Sequence, residues 1–329
     1  MLIGGAPAGR LTHNGLRAAV AAFVAVAVPL VLSGCQTSTT GSPRSSANTS
    51  VTAQADRTPS SANPSPATPG PTRKQVTLTI TGQGPHFYPQ DVAVDTHDNV
   101  YVTAVNEGLL KLAPGASPPT RYPFTDLAFA VSGGVDAAGD AFLAQSGNDN
   151  TGHILKLTPT GSQTELPFTG LGGERHLTVT PDGTVYVAAG TRVLKLSPGA
   201  TSADVLPFTG LKNAAFVAVD PAGNVYVSDR GSSSADATDS RVVMLAAGST
   251  SQSVLPLSAQ MQQQGLAVDG SGNVYVASAQ GITELVKDTQ QTTQLSVTGN
   301  PKLGATAVDT HGNIYVIDSD HNTVIELKA

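Results

Sequence analysis

The sequence predicts an all-β protein whose folded part is a six-bladed β-propeller, and three observations carry that expectation. One unit recurs six times, as DVAVDTHDNVYVTA, SGGVDAAGDAFLAQ, LTVTPDGTVYVAAG, FVAVDPAGNVYVSD, LAVDGSGNVYVAS and ATAVDTHGNIYVID. Its marker position falls at Asp95, Asp136, Thr180, Asp220, Asp269 and Asp309, so successive spacings are 41, 44, 40, 49 and 40 residues. A period near 40 with short strands is that of a propeller blade rather than a helical solenoid. Composition agrees: 34 Gly and 22 Pro supply turns, while charged residues make up only 13% and aromatics 5%. The third observation is the state of the two ends, taken up below.

Each copy spells four strands. VAV and VYV are short β-branched and aromatic runs, and DPAGN between them is turn chemistry, with Asp accepting from its own backbone amides and Gly taking a positive φ. A third strand follows as GLLKL, HILKL, RVLKL, RVVML, GITEL and TVIEL. A fourth ends in a shared phrase, RYPFTDL, ELPFTGL, VLPFTGL or VLPLSAQ. The sixth copy stops after its third strand, and a surplus strand at residues 76–80 precedes the first copy. That strand is expected to complete the last blade and protect its edge.

Upstream of the propeller, residues 1–34 read as a secretory signal, with Arg10 and Arg17 before an uncharged apolar run. The run is short, rich in alanine and interrupted by Pro29, which argues against a membrane-spanning helix. The segment ends in Leu32-Ser33-Gly34-Cys35, which resembles the lipobox of bacterial lipoproteins. That resemblance implies cleavage before Cys35, acylation of its thiol and anchoring in the lipid bilayer on the extracytoplasmic face of a bacterial membrane. Cys35 is the only cysteine, so no internal disulfide is available to the fold. Residues 35–74 are dominated by Ser, Thr, Pro, Ala and Gly and are expected to be a disordered tether, spanning roughly 35 Å as a flexible coil. The propeller is assigned to residues 75–329.

Charge narrows the partners. From residue 75 onward there are 12 Lys and Arg against 23 Asp and Glu, a net −11, which disfavours nucleic acid and anionic surfaces. Enzyme signatures such as G-x-S-x-G, H-E-x-x-H and a phosphate-binding glycine loop are absent. No cofactor is expected.

VAVDPAGNVYVSD with RVVML downstream resembles the NHL repeat, and the LPFTGL phrases bring it close to the extracellular sensor domain of the mycobacterial membrane serine/threonine kinase D. The resemblance spans residues 75–329 and implies a rigid extracytoplasmic module that binds a protein, peptide or envelope glycan. It also implies that the loops from strand two to three, and from strand four to the next blade, share one face around the channel. There lie His86, Phe87, Tyr88, Phe129, Glu174, Arg175, His176 and Phe216, and the insertion that begins Asp229-Arg230; these are the candidate ligand-binding residues. Propeller enzymes such as streptogramin lyases and lactonases gather metal ligands at the same mouth. For that alternative the available residues are His86, Glu174 and His176. His97 and His311 occupy one slot of the repeated turn and read as turn residues, as do the marker aspartates.

Overall fold

The computed structural model describes residues 68–78, 80, 87–147, 151–172, 176–232, 237–257 and 264–329. Cys35, the signal and residues 1–67 lie outside the described residues, as do His86, Glu174 and Arg175. Six four-stranded antiparallel units follow one another in the compact unit Ser60–Ala329. Their innermost strands are Pro89–Val94, Phe129–Val135, His176–Val179, Ala214–Val219, Gly265–Val268 and Leu303–Val308. Each touches the next, and the sixth returns to the first, so the ring is closed.

Closure happens as the chain ends require. Lys74–Leu78 pairs antiparallel with the last strand, Thr323–Lys328, and supplies the missing outer strand of blade 6. Main-chain pairing is reinforced by Gln75, whose Oε1 accepts from Thr298 N at 2.8 Å. The strand sits two residues earlier than the 76–80 expected from the sequence. Among the described residues, Thr68–Pro69 also pairs, in parallel, with Thr293 and Gln294 of blade 5. Backbone pairing to an otherwise open strand edge holds this stretch, which its Ser/Thr/Pro composition assigned to the tether.

The repeated turn is a hydrogen-bond unit. In blade 4 Asp220 Oδ1 accepts from Asn224 N at 2.9 Å, and Oδ2 from Asn224 Nδ2 at 2.7 Å and the Tyr226 hydroxyl at 3.0 Å. The same carboxylate–asparagine–tyrosine set recurs at Asp95, Asp269 and Asp309. Gly223, at φ +84°, closes the turn in a region costly for any side chain. His97 and His311 each donate their backbone N–H to the marker aspartate and belong to the turn, as expected.

Side chains of the second strands fill the seams between blades. Val225 and Val227 pack with blade 3, while Tyr226 packs with blade 5 through Leu266 and Val276. The terminal phrases are wedges in the same seams: Leu166, Phe168 and Leu171 pack between blades 2 and 3, and Leu206, Phe208 and Leu211 between blades 3 and 4. Burial of roughly 1.5–3 kcal/mol per large apolar side chain makes these seams the main source of stability.

Candidate functional site

One register position recurs near the start or middle of the innermost strands of blades 1 to 5. Asp91, Ser132, His176, Phe216 and Gly265 stand opposite Thr103, Ala144, Ala188, Ser228 and Ala277, the residue after VYV or its equivalent in each blade. In blades 1, 2 and 4 a β-bulge immediately precedes this position. Bulges bend the strand and re-aim side chains, which brings residues from different blades together at the mouth. Gly265 has no side chain because a Cβ there would run into Gly304 O and Thr306 Oγ1 of blade 6.

Blades 1, 2 and 3 meet in a polar cluster. Ser132 Oγ donates to Asp91 Oδ2 at 2.5 Å and accepts from Leu177 N at 3.0 Å. Gly133 N donates to the same Asp91 oxygen at 3.3 Å. Both side chains are buried, Asp91 at 2% and Ser132 at 1% exposure. Asp91 Oδ1 has no hydrogen-bond partner, and His176 Nε2 lies 3.4 Å from it, a charge contact too poorly aligned to count as a hydrogen bond. Val217 N donates to His176 Nδ1 at 3.3 Å, so the neutral imidazole carries its proton on Nε2, facing Asp91.

An aromatic half completes the mouth. The His176 and Phe216 rings meet edge-on with centroids 4.8 Å apart. The Arg230 guanidinium lies 5.1 Å from the Phe216 centroid, and its Nη2 is 3.3 Å from Gln264 Oε1. Phe87 is half-buried against the blade 1–blade 6 core, where Phe216 also packs. Tyr88 immediately precedes the innermost strand of blade 1, Phe129 begins that of blade 2, and the two are exposed at 44% and 48%.

Of the residues singled out from the sequence, His176, Phe216 and Arg230 are brought together, Phe87 packs in one cluster with Phe216, and Tyr88 and Phe129 lie at the starts of the neighbouring innermost strands. Asp229 is corrected: it is fully buried and holds the loop, accepting at Oδ1 from Lys212 N (3.1 Å) and Asn213 N (2.8 Å), with Oδ2 3.2 Å from Arg241 Nε. His176 is likewise a strand residue whose ring packs into the ring of blades, not a member of an exposed charged loop. Asp91 and Ser132 escaped the sequence reading. The available signal was Asp91's position, since no other copy has an acid there.

The cluster's chemistry is limited by its own bonds. Asp91 stands between serine and histidine, so the imidazole is not placed to take the Ser132 proton. The Nδ1 lone pair of His176 is taken by Val217 N–H and Nε2 carries the proton, so neither nitrogen is offered to a metal in this arrangement. Among the described residues, the one group of three potential metal ligands is Asp98, Asp309 and His311 on the opposite face. The Asp309 oxygens there already serve the turn, and Asp98 accepts from Thr310.

No protein-family model and no curated protein matches the chain. Solved structures do. A gluconolactonase from Xanthomonas campestris superposes with a TM-score of 0.61 at 15% identity, covering 82% of this chain and 99% of that one. A streptogramin B lyase gives 0.54 at 14% identity, covering 77% and 97%. A nidogen/laminin complex structure gives 0.52 at 15% identity, covering 74% and 88%. These likenesses place the chain in the class of six-bladed β-propellers. At such identities they speak to fold, which is shared by a lyase, a gluconolactonase and a nidogen/laminin complex.

Proposed function

We propose that this propeller is a non-catalytic binding module, held by an acylated Cys35 at the extracytoplasmic face of a bacterial membrane, that engages a protein, peptide or envelope glycan with its channel-mouth face. One observation carries the reading: Ser132 Oγ, Asp91 Oδ2 and His176 Nδ1 are bonded within the fold, with Asp91 Oδ1 left unpaired, while the rings of Tyr88 and Phe129 stand exposed at the same ends of their blades. Polar atoms bonded in this way give a rigid floor, and exposed aromatics supply contact area at low entropy cost, as binding surfaces require. The likeness of the repeat to a kinase sensor domain supports the same reading. Here the lipid, not a spanning helix, would tie the module to the membrane.

A metal-assisted lyase or hydrolase is the second reading, favoured by the fold shared with a streptogramin lyase and a gluconolactonase and by His176 at the mouth. Chemical crosslinking on intact cells, followed by elemental analysis of the purified protein, separates the two. Binding predicts a set of crosslinked partners lost from the Tyr88→Ala/Phe129→Ala double variant, with no stoichiometric divalent ion. An unchanged partner set, or a stoichiometric metal that disappears in His176→Ala, would replace the binding reading with the second.

A further inference from the structure

The clearest departure from the repeat outside the channel mouth lies in blade 2. In blades 3 and 4 the third strand begins with an arginine whose guanidinium reaches the loop entering that blade. Arg192 Nη2 donates to Gly170 O at 3.0 Å, and Arg241 Nη2 to Gly210 O at 2.6 Å. Both acceptors belong to PFTGL phrases, and both glycines have positive φ, 66° and 64°. Thus the scaffold's own solution at this cleft is a glycine carbonyl capped by a guanidinium.

Blade 2 changes three equivalent positions at once. The glycine is Asp126, kept at φ +54° although a side chain is disfavoured there. The arginine is His153, which turns away to Glu165 (2.8 Å) and Thr151 (2.9 Å). Glu165 itself stands opposite Leu155, where blades 3 and 4 place Val205 and Val254 opposite Leu194 and Val243. With no guanidinium supplied by the blade's own third strand, a cleft of about 400 Å³ remains, lined by Asp126, Gln145, His153 and Glu165 among others. The Asp126 carbonyl is met only at 3.4 Å by Gln145 Nε2. The loop above is held in place, since Gln163 bonds both Thr125 N (2.9 Å) and Thr125 O (3.2 Å).

We infer that this cleft is a binding site for a guanidinium group, presented as an arginine side chain by a partner polypeptide. The incoming group would take the place that Arg192 and Arg241 fill within their own blades, donating to the Asp126 carbonyl. The carboxylates of Asp126 and Glu165, added only in this blade, favour a cation from outside. A planar fork that serves a carbonyl and carboxylates together suits arginine better than lysine. The site lies outward of the polar cluster, on the third and fourth strands of blade 2 and the loop that enters it, and its test does not depend on the partner bound at the mouth.

Isothermal titration of the full chain with acetyl-Gly-Arg-Gly-amide, its lysine analogue and its uncharged citrulline analogue tests the assignment. The arginine peptide is expected to bind with a Kd on the order of 1 mM, and the citrulline peptide at least about tenfold more weakly. His153→Arg rebuilds the sibling arrangement and should abolish binding while preserving the melting temperature. Asp126→Gly, the residue of the sibling loops, should weaken it, and Val205→Ala/Val254→Ala, on the outer strands of blades 3 and 4, should leave it unchanged. Equal binding of arginine and citrulline peptides, no binding by the wild-type chain, or undiminished binding in both His153→Arg and Asp126→Gly would overturn the proposal.

Discussion

Blade 4 and blade 2 are built on one unit, yet almost every polar group that blade 4 spends on itself is altered in blade 2. In blade 4 Asp220 serves Asn224 and Tyr226, and Arg241 closes the loop through Gly210 and Asp229. In blade 2 the turn aspartate, Asp136, bonds backbone amides of Ala138 and Asp140, and Phe142 stands where the tyrosine would be. His153 leaves its loop uncapped. The pair shows how a repeat separates two kinds of residue: those kept because each blade must hold together, and those whose change opens a surface.

Removing the turn carboxylate should sharpen this contrast most. Asp220→Ala strands the Tyr226 hydroxyl and the Asn224 amides in a buried setting, at an expected cost of about 2–4 kcal/mol. Asp136→Ala in blade 2 has no tyrosine to strand and should cost about 1–2 kcal/mol. Denaturant melts of the two variants check the order, and equal losses would break the comparison.

A smaller effect concerns pH. Burial, and then the nearby carboxylates, raise the hydroxyl pKa of Tyr101, Tyr226, Tyr275 and Tyr315 well above the usual value. A raised folded pKa means that the unfolded chain loses these protons first, from about pH 10 upward. Their contribution is therefore complete below that pH and is lost as pH climbs through the folded values. Tyr226→Phe should flatten the alkaline limb of the stability curve at a neutral-pH cost of about 1 kcal/mol. An unchanged alkaline slope would argue against the network.

Acid acts on the blade 1 turn, as it does on Asp182 in the blade 3 turn and on Asp239. Burial by itself would raise the Asp95 pKa, but hydrogen bonds from Asn99, Tyr101 and the amides of His97 and Asn99 outweigh it and hold the group below the usual carboxylate range. Its stabilisation is present above the unfolded pKa near 4 and fades as pH falls through the lower folded value. Asp95→Asn should remove a small part of the acid-induced loss of stability.

The six blades and their closure were legible in the sequence because both follow from local patterns: the period of VYV, the turn chemistry of DPAGN, and a last copy lacking one strand. Asp91 and Ser132 were not. They are 41 residues apart and meet only once blades 1 and 2 have packed together, behind bulges that leave no mark in the sequence. Asp229 misled for a related reason. Opening a polar insertion suggests exposure, whereas the chain folds back so that Lys212 and Asn213 present their amides to it. The ordered Thr68–Pro69 stretch was hidden because main-chain pairing, not side-chain pattern, secures it.

The central claim, that binding belongs to the channel-mouth face, can be tested by comparing two sets of exposed apolar residues. A photo-crosslinking amino acid is placed on living cells either at Tyr88 or Phe129 beside the mouth, or at Val205 or Val254 on outer strands, where exposure is 58% and 57%. The account predicts discrete crosslinked partners from the first pair and none from the second. Crosslinks confined to Val205 and Val254 would contradict it.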